Sequence, residues 1–426
     1  MKINSFLSNL FAYLTGKSLF AVSVLIVGIL TARWFSTEDR GLYTLFFTSA
    51  GLIFSFLHFG LSAGNIYFLN VKKIDMGVLI GNACTYILFV MTLVGLLFSI
   101  FAYLEFKGSF LNVSPTMLWA LLWLLVFINL TETSFSGLLL GIKDYSFLKK
   151  SLIFQAVVIL LSGILIVFNL TLQTALVIRV FGFFIFFLWF FILFLKQQKL
   201  YKISISLVTL KNQLVFGSKN WFQNCVAFLN ARSYIYFLAF FHTSEAVAIF
   251  SIAWIFIEIV RFVPDAIGTT LLPELTNMEA GSNKASATAR CLRVVLAFVL
   301  AISCFMFLSL DFLVPFIFGE AYVSSISAIT YLLLGAFFGT IYQVLTRYFT
   351  SEAAQRFAIY SSILGLCTCL VGSYFLVPRY SADGAAMAYA GSSFVTGICS
   401  LYFFLKVSNE TFFSVFRFSI SDLKVK

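Results

Sequence analysis

Three ionisable side chains are spaced to lie on one face of a long apolar segment in the middle of the chain. Glu258, Arg261 and Asp265 are spaced by three and four residues, so a helix would place all three on the same side. Such a set has two uses. Either the carboxylates neutralise the arginine in a structural cluster, or the three form a charged lining that is partly unpaired in one transport state. The spacing leaves both interpretations open.

A second polar stripe lies within an earlier apolar segment and has the same steps of three and four residues. Its members are Thr48, Gly51, Ser55, His58, Ser62 and Asn65. His58 suits either a proton switch or a hydrogen-bonded interior residue, because histidine changes its charge near neutral pH. At one constant offset along the chain, Gly51 aligns with Glu258 and His58 with Asp265. This agreement favours a shared role for the two stripes over accidental packing.

Other polar residues stand alone inside apolar segments, where they are costly and tend to be functional. Basic residues there either line a cavity or extend their heads to the membrane surface, and we expect the latter for Arg179 and Arg347. Glu132 either lines a cavity or pairs across helices. The candidate substrate-binding residues are Lys17, Arg179, Arg232 and Arg261. The predicted cavity-lining or coupling residues are His58, Glu132, Asn230, Glu258 and Asp265.

The segments that carry these residues are predicted to be membrane-spanning helices. Of the 426 residues, 61% are hydrophobic and 11% are charged, whereas a soluble domain has about 25% charged residues. Apolar runs long enough to span a bilayer recur along the whole chain. The chain is therefore predicted to be an all-α integral membrane protein with about twelve spans. They lie at 7–32, 41–69, 76–104, 116–140, 150–168, 173–195, 214–241, 245–271, 291–318, 326–349, 357–377 and 384–405.

The basic residues predict the orientation of these spans. Most of the 28 lysines and arginines fall in the loops on the side of the N-terminus. The opposite side receives Arg33, Arg40, Lys107 and Arg379. Cytoplasmic loops carry the excess of basic residues, so both termini are predicted to be cytoplasmic. This asymmetry accounts for the net charge of +11 without nucleic acid.

The two halves of the chain resemble each other. At the offset that aligns the polar stripes, Glu38 meets Glu245, Gly41 meets Ala248 and Tyr43 meets Phe250. Each half holds six predicted spans, and an even number gives equivalent spans the same direction. We therefore predict two parallel six-helix lobes, residues 1–205 and 206–426, as in transporters with two similar lobes.

Sequence signatures of enzymes are absent. There is no glycine-rich phosphate loop ending in Gly-Lys-Ser/Thr, no Ser-His-Asp set and no His/Cys/carboxylate group with metal spacing. The seven cysteines are odd in number and mostly apolar in context, which favours packing over disulfides or metal ligands. We predict a transporter without cofactor or metal, and not an enzyme.

Several motifs resemble one family. They are Arg33 to Tyr43 between the first two spans, Leu272-Pro273-Glu274-Leu275, Leu313 to Tyr322, and Phe375-Leu376-Val377-Pro378 followed by Ala382-Asp383-Gly384-Ala385. In this order and spacing they resemble polysaccharide-unit flippases of the Wzx type, in the multidrug/oligosaccharidyl-lipid/polysaccharide exporter (MOP) superfamily. The resemblance implies two lobes around a central cavity that opens alternately to each side of a bacterial inner membrane.

The resemblance also implies a substrate and partners. The substrate would be an oligosaccharide repeat unit on undecaprenyl pyrophosphate, flipped from the cytoplasmic to the periplasmic leaflet for O-antigen or capsule synthesis. Membrane lipids and a glycan polymerase would be its partners. Two alternatives stay open: a cation-coupled drug efflux antiporter, and a membrane-embedded glycan polymerase or glycosyltransferase. The second should carry a large outer loop, and none is found in the sequence.

Overall fold

The computed structural model describes residues 3–103, 115–168, 171–197, 202–278, 284–352, 354–408 and 410–417. In these ranges the ordered elements are helices, which confirms the all-α membrane fold. The chain forms two compact units, Met1–Cys225 and Val226–Lys426. The boundary falls inside one long helix. Lys107, expected on the outer side, lies outside the described residues.

The helices fall where the apolar runs predict them. Unit 1 holds α1 Ile3–Trp34, α2 Thr37–Leu57, α3 Leu61–Asn70, α4 Met76–Tyr103, α5 Pro115–Gly141, α6 Tyr145–Phe168, α7 Leu172–Gln197 and the start of α8 Leu207–Phe241. Unit 2 holds the rest of α8, then α9 Ser244–Asn277, α10 Lys284–Phe318, α11 Ser325–Ser351, α12 Gln355–Ser408 and α13 Phe412–Phe416. Helices α8 and α10 each begin seven residues before the predicted spans at 214 and 291.

Among the described residues, nine helices are long and apolar enough to cross a membrane. Helices α8 and α9, which carry the polar residues of interest, are not among the nine. Helix α12 has 54 residues and breaks at Ser381, where φ is 51° and ψ is −126°. Its length suffices for two crossings, as predicted at 357–377 and 384–405. Leu88, Phe305 and Leu308 expose at least 65% of their surface, as side chains that face lipid would.

The predicted second span is broken, which corrects the expectation of one continuous polar face. Helix α2 ends at Leu57 and α3 begins at Leu61. Between them Phe59 and Gly60 adopt φ values of 44° and 69°. Glycine is needed at position 60, since a side chain there would overlap the backbone of Gly217.

Side chains from other helices satisfy the carbonyls that this break leaves without helical partners. Tyr86 donates its hydroxyl to the Leu57 carbonyl at 2.7 Å, and Trp221 donates its indole N–H to Phe56 at 3.0 Å. Cys225 donates its thiol to the carbonyl of the residue that precedes Phe56, at 3.3 Å. A break inside a membrane span is tolerated only when such partners replace water. The middle turns of α8 therefore complete the second span.

A chain of buried amides fixes the start of α8 in unit 1. Asn82 donates to Gln213 at 2.8 Å, and Gln213 donates to Asn65 at 2.7 Å. All three side chains are fully buried. The chain ends on backbone groups at both sides, on the Ser134 carbonyl and the Ser206 N–H. Each buried amide has a hydrogen-bond partner, so the network fixes the position of α8 without the cost of an unpaired polar group.

In unit 2, α11 is the central helix and packs against α9, α10 and α12. The two halves of α12 fold onto each other after Ser381, and Ser392 donates to the Gly365 carbonyl at 2.8 Å. Small residues allow this close packing: Gly335 lies against Tyr389, and a larger residue at 335 would collide with that ring. Helix α11 thus presents one face to α9, where the polar stripe lies.

Candidate functional site

The centre of the candidate site is an ion pair between α8 and α9 in unit 2. Arg232 Nη2 donates to Glu258 Oε1 at 3.0 Å. The side chains keep 32% and 51% of their surface exposed, so the pair is accessible. The indole N–H of Trp254 donates to the same Oε1 at 3.0 Å. Glu258 therefore holds two donors on one oxygen.

Trp254 organises this pair in a second way. Its ring lies under the Arg232 guanidinium, 5.3 Å from Cζ to the ring centroid. The indole is itself buried and packs edge-on against Tyr389 at 5.2 Å. Tyr389 in turn contacts Tyr234 at 5.9 Å. A rigid aromatic surface therefore orients the arginine, as cation–π contacts do elsewhere.

Arg261 does not pair with the two carboxylates that flank it on α9. Glu258 pairs with Arg232 instead, and Asp265 accepts a hydrogen bond from Gln343 of α11. Among the described residues, no carboxylate lies within 4.0 Å of the Arg261 guanidinium. The arrangement in which both carboxylates neutralise Arg261 is absent, because interhelical partners replace the pairs along the helix. Arg261 is half-buried.

Asn230 lies two residues before Arg232 and joins α8 to α12. Its amide donates to the Ser362 carbonyl at 3.0 Å and to the hydroxyl of the same residue at 3.3 Å. The Ser392 hydroxyl, which donates to the Gly365 carbonyl, lies 3.5 Å from the side-chain oxygen of Asn230. These contacts position the turn of α8 that carries Arg232.

The predicted residues of unit 1 do not gather in one cluster. Lys17 is exposed on α1. His58 is buried at the break after α2, and its Nδ1 accepts the Gly60 N–H at 3.3 Å. A backbone N–H only donates, so the neutral ring carries its proton on Nε2. That nitrogen is buried and has no hydrogen-bond partner among the described residues.

Glu132 and Arg179 each join two helices of unit 1. Gln155 of α6 donates to Glu132 of α5 at 3.4 Å, which is the pairing across helices that the sequence left open. Arg179 is buried and donates to the Ile159 carbonyl at 2.9 Å and the Ser162 hydroxyl at 2.8 Å. Its head therefore turns into the contact between α6 and α7 and does not reach for a membrane surface.

Two residues that complete the cluster in unit 2 were not among the predicted site residues. Trp254 precedes Glu258 by four residues, and Gln343 precedes Arg347 by four residues. This spacing on a shared helical face was the available signal. Among the residues that the structure describes, no group of His, Cys, Asp or Glu side chains could hold a metal ion. The cluster offers charged hydrogen-bond donors on an aromatic support.

No protein-family model matches the chain, and no curated protein is similar to it in sequence. Solved structures are similar in fold. The lipid II flippase MurJ in an inward closed conformation superposes with a TM-score of 0.73 at 11% identity, over 97% of this chain and 93% of MurJ.

Two further structures are similar. An inward-facing multidrug resistance MATE transporter gives a TM-score of 0.68 at 14% identity, over 92% of this chain and 94% of that chain. A MOP superfamily transporter from Pyrococcus furiosus, whose binding pocket is described as reversed in polarity, gives 0.62 at 16% identity over 94% and 95%. The chain therefore has the fold of the MOP superfamily transporters.

Proposed function

We propose that the protein flips an undecaprenyl-pyrophosphate-linked oligosaccharide from the cytoplasmic to the periplasmic leaflet by alternating access. The observation that carries this proposal is Arg261, a half-buried arginine whose neighbouring carboxylates are engaged elsewhere. An uncompensated cation inside a membrane segment is costly and is retained for function. A pyrophosphate is the anion that the guanidinium geometry suits, since the planar donor fork matches phosphate oxygens.

The second support is the accessible pair of Arg232 and Glu258. A pyrophosphate loses its hydration when it leaves water, and that loss is costly unless charged donors replace it. Arg232 is held on the Trp254 ring, so it can exchange Glu258 for a phosphate oxygen without losing its position. The similarity of the fold to a lipid II flippase agrees with a substrate on a lipid carrier.

The test is surface-glycan staining in the native host after deletion of the gene and complementation. Arg232→Ala and Arg261→Ala should each reduce glycan display and cause lipid-linked repeat units to accumulate. Arg356→Ala, which removes one exposed arginine from the start of α12, is the matched control and should restore full display. If both cluster variants restore full display at wild-type protein amounts, the cationic site is refuted.

The second candidate function is efflux of cationic small molecules. It is favoured by the fold of the multidrug MATE transporter and by the exposure of Glu258 and Asp265, which could bind a cation. Expression in an efflux-deficient strain would decide. Increased resistance to cationic dyes, together with unchanged surface glycan in the deletion strain, would replace the flippase proposal.

We also propose an inner-membrane location with both termini in the cytoplasm, on the distribution of lysine and arginine between the loops. Reporter fusions test the orientation. Alkaline phosphatase fused after Lys406 should be inactive, and green fluorescent protein at the same place should fluoresce. The reverse pattern would invert the direction of transport that we propose.

A further inference from the structure

Arg347 of α11 lies directly against the backbone of α9. A Cβ atom added at Gly268 would stand 2.8 Å from its Nε and 3.1 Å from its Nη2. Heavy atoms do not approach a Cβ so closely, hence only glycine at position 268 allows this placement of the guanidinium. Gly268 is one turn after Asp265, and Arg347 is one turn after Gln343. The Asp265–Gln343 and Gly268–Arg347 contacts between α9 and α11 are therefore one helical turn apart.

The guanidinium of Arg347 is not neutralised by the nearby carboxylates. Its Nε is buried and has no hydrogen-bond partner among the described residues. Asp265, one turn before Gly268, accepts a hydrogen bond from Gln343, a neutral group. Glu352, directly after the end of α11, pairs with Lys284 of α10 at 3.0 Å. Both of these carboxylates therefore have other partners.

Extension to the membrane surface does not describe this residue. A side chain that snorkels places its charged head in water, whereas here the Nε is buried against a helix backbone. A buried donor without a partner costs about 1–3 kcal/mol. The protein bears this cost at a contact that only glycine at position 268 allows.

We propose that Arg347 is an anion-binding residue that donates to a non-bridging oxygen of the substrate's diphosphate, with Gly268 as the residue that positions it. This inference rests on the proposed function and adds a third arginine to Arg232 and Arg261. The Gln343 to Asp265 hydrogen bond keeps the α9 carboxylate away from the guanidinium. A phosphate oxygen would supply the missing negative charge to the half-buried guanidinium.

The first experiment measures lipid binding to the purified full-length protein in nanodiscs by native mass spectrometry. The probes are undecaprenyl pyrophosphate and neutral undecaprenol. Arg347→Ala should weaken binding of the pyrophosphate lipid about tenfold, the effect of losing one charge-assisted hydrogen bond, and should leave undecaprenol binding unchanged. Arg347→Lys should restore part of the affinity. Arg356→Ala is the control for the loss of one positive charge.

The second experiment moves Arg347 without removing its charge. Gly268→Ala should weaken pyrophosphate binding, because the added methyl group displaces the guanidinium. In the Arg347→Ala background the same change should have no further effect, since the clashing group is gone. An effect of Gly268→Ala that persists in that background would show altered packing of α9 and would overturn the positioning role.

The two proposals fail separately. If the wild-type protein prefers undecaprenyl pyrophosphate over undecaprenol and Arg347→Ala keeps that preference, the inference about Arg347 is wrong while the flippase proposal stands. If the wild-type protein shows no preference, the flippase proposal fails and the inference fails with it.

Discussion

Replacing Glu258 by glutamine should strengthen the binding of a lipid diphosphate. Glu258 Oε1 accepts from both Arg232 and Trp254 at 3.0 Å. Glutamine keeps an oxygen that can accept the indole N–H, so the aromatic support stays in place. It removes the negative charge with which an anionic substrate must compete for Arg232.

The expected gain follows from the geometry of the pair. Two unit charges about 4 Å apart interact by about 4 kcal/mol at an effective dielectric constant near 20. The side chains are 32% and 51% exposed, and screening of exposed pairs reduces this to about 1 kcal/mol. A difference of about 1 kcal/mol corresponds to an affinity for the pyrophosphate lipid that is about fivefold higher.

The assay is native mass spectrometry in nanodiscs with undecaprenyl pyrophosphate, titrated against the wild-type protein and Glu258→Gln. Glu245→Gln is the matched control, since Glu245 is exposed at the start of the same helix. Its affinity should equal that of the wild type. An unchanged or weaker affinity for Glu258→Gln would show that the substrate does not compete for Arg232, and the reasoning would be refuted.

Three further substitutions test the packing of unit 1. Gln213→Leu should destabilise the protein by about 3 kcal/mol, because Asn65 and Asn82 lose buried hydrogen bonds; thermal unfolding in detergent measures this. Gly60→Ala should prevent accumulation of folded protein on gel filtration, since positive φ alone costs about 1–2 kcal/mol and the methyl group meets the backbone of α8. Arg179→Ala should lower the unfolding temperature while preserving glycan display, because its donors hold α6 to α7.

Each of these has a control or a contrary result. Gly391→Ala is the control for position 60, since open space surrounds that glycine and alanine should be tolerated. Unfolding of Gln213→Leu at the wild-type temperature would show that the amide network adds no stability. Loss of glycan display by Arg179→Ala at wild-type protein amounts would give that arginine the substrate-binding role that its position in the sequence suggested.

The helices could be predicted because long apolar runs determine them. Bilayer length and the exclusion of charge act locally, so the predicted spans at 76–104 and 326–349 differ from α4 and α11 by at most two residues. The start of α2 is equally local, although it was not predicted: the Ser36 hydroxyl accepts the Asp39 N–H.

The partners of the charged residues could not be predicted in the same way. Steps of three and four residues placed Glu258 beside Arg261, but Glu258 pairs with a residue on the preceding helix. The choice between partners depends on how helices are rotated against each other, and that rotation is set by packing contacts that are distant in sequence. The break at Gly60 was missed for the same reason, since its cause is the close approach of Gly217.

The broken second span has a consequence for how the protein is made. The carbonyls of Phe56 and Ser55 receive their donors from Trp221 and Cys225, residues that are synthesised long after the second span has entered the membrane. Until α8 arrives, those carbonyls must remain near water, the translocon or lipid headgroups. Unit 1 is therefore still incomplete when its first seven helices have been inserted. A product from ribosomes stalled before Cys225 should be recognised by quality-control proteases.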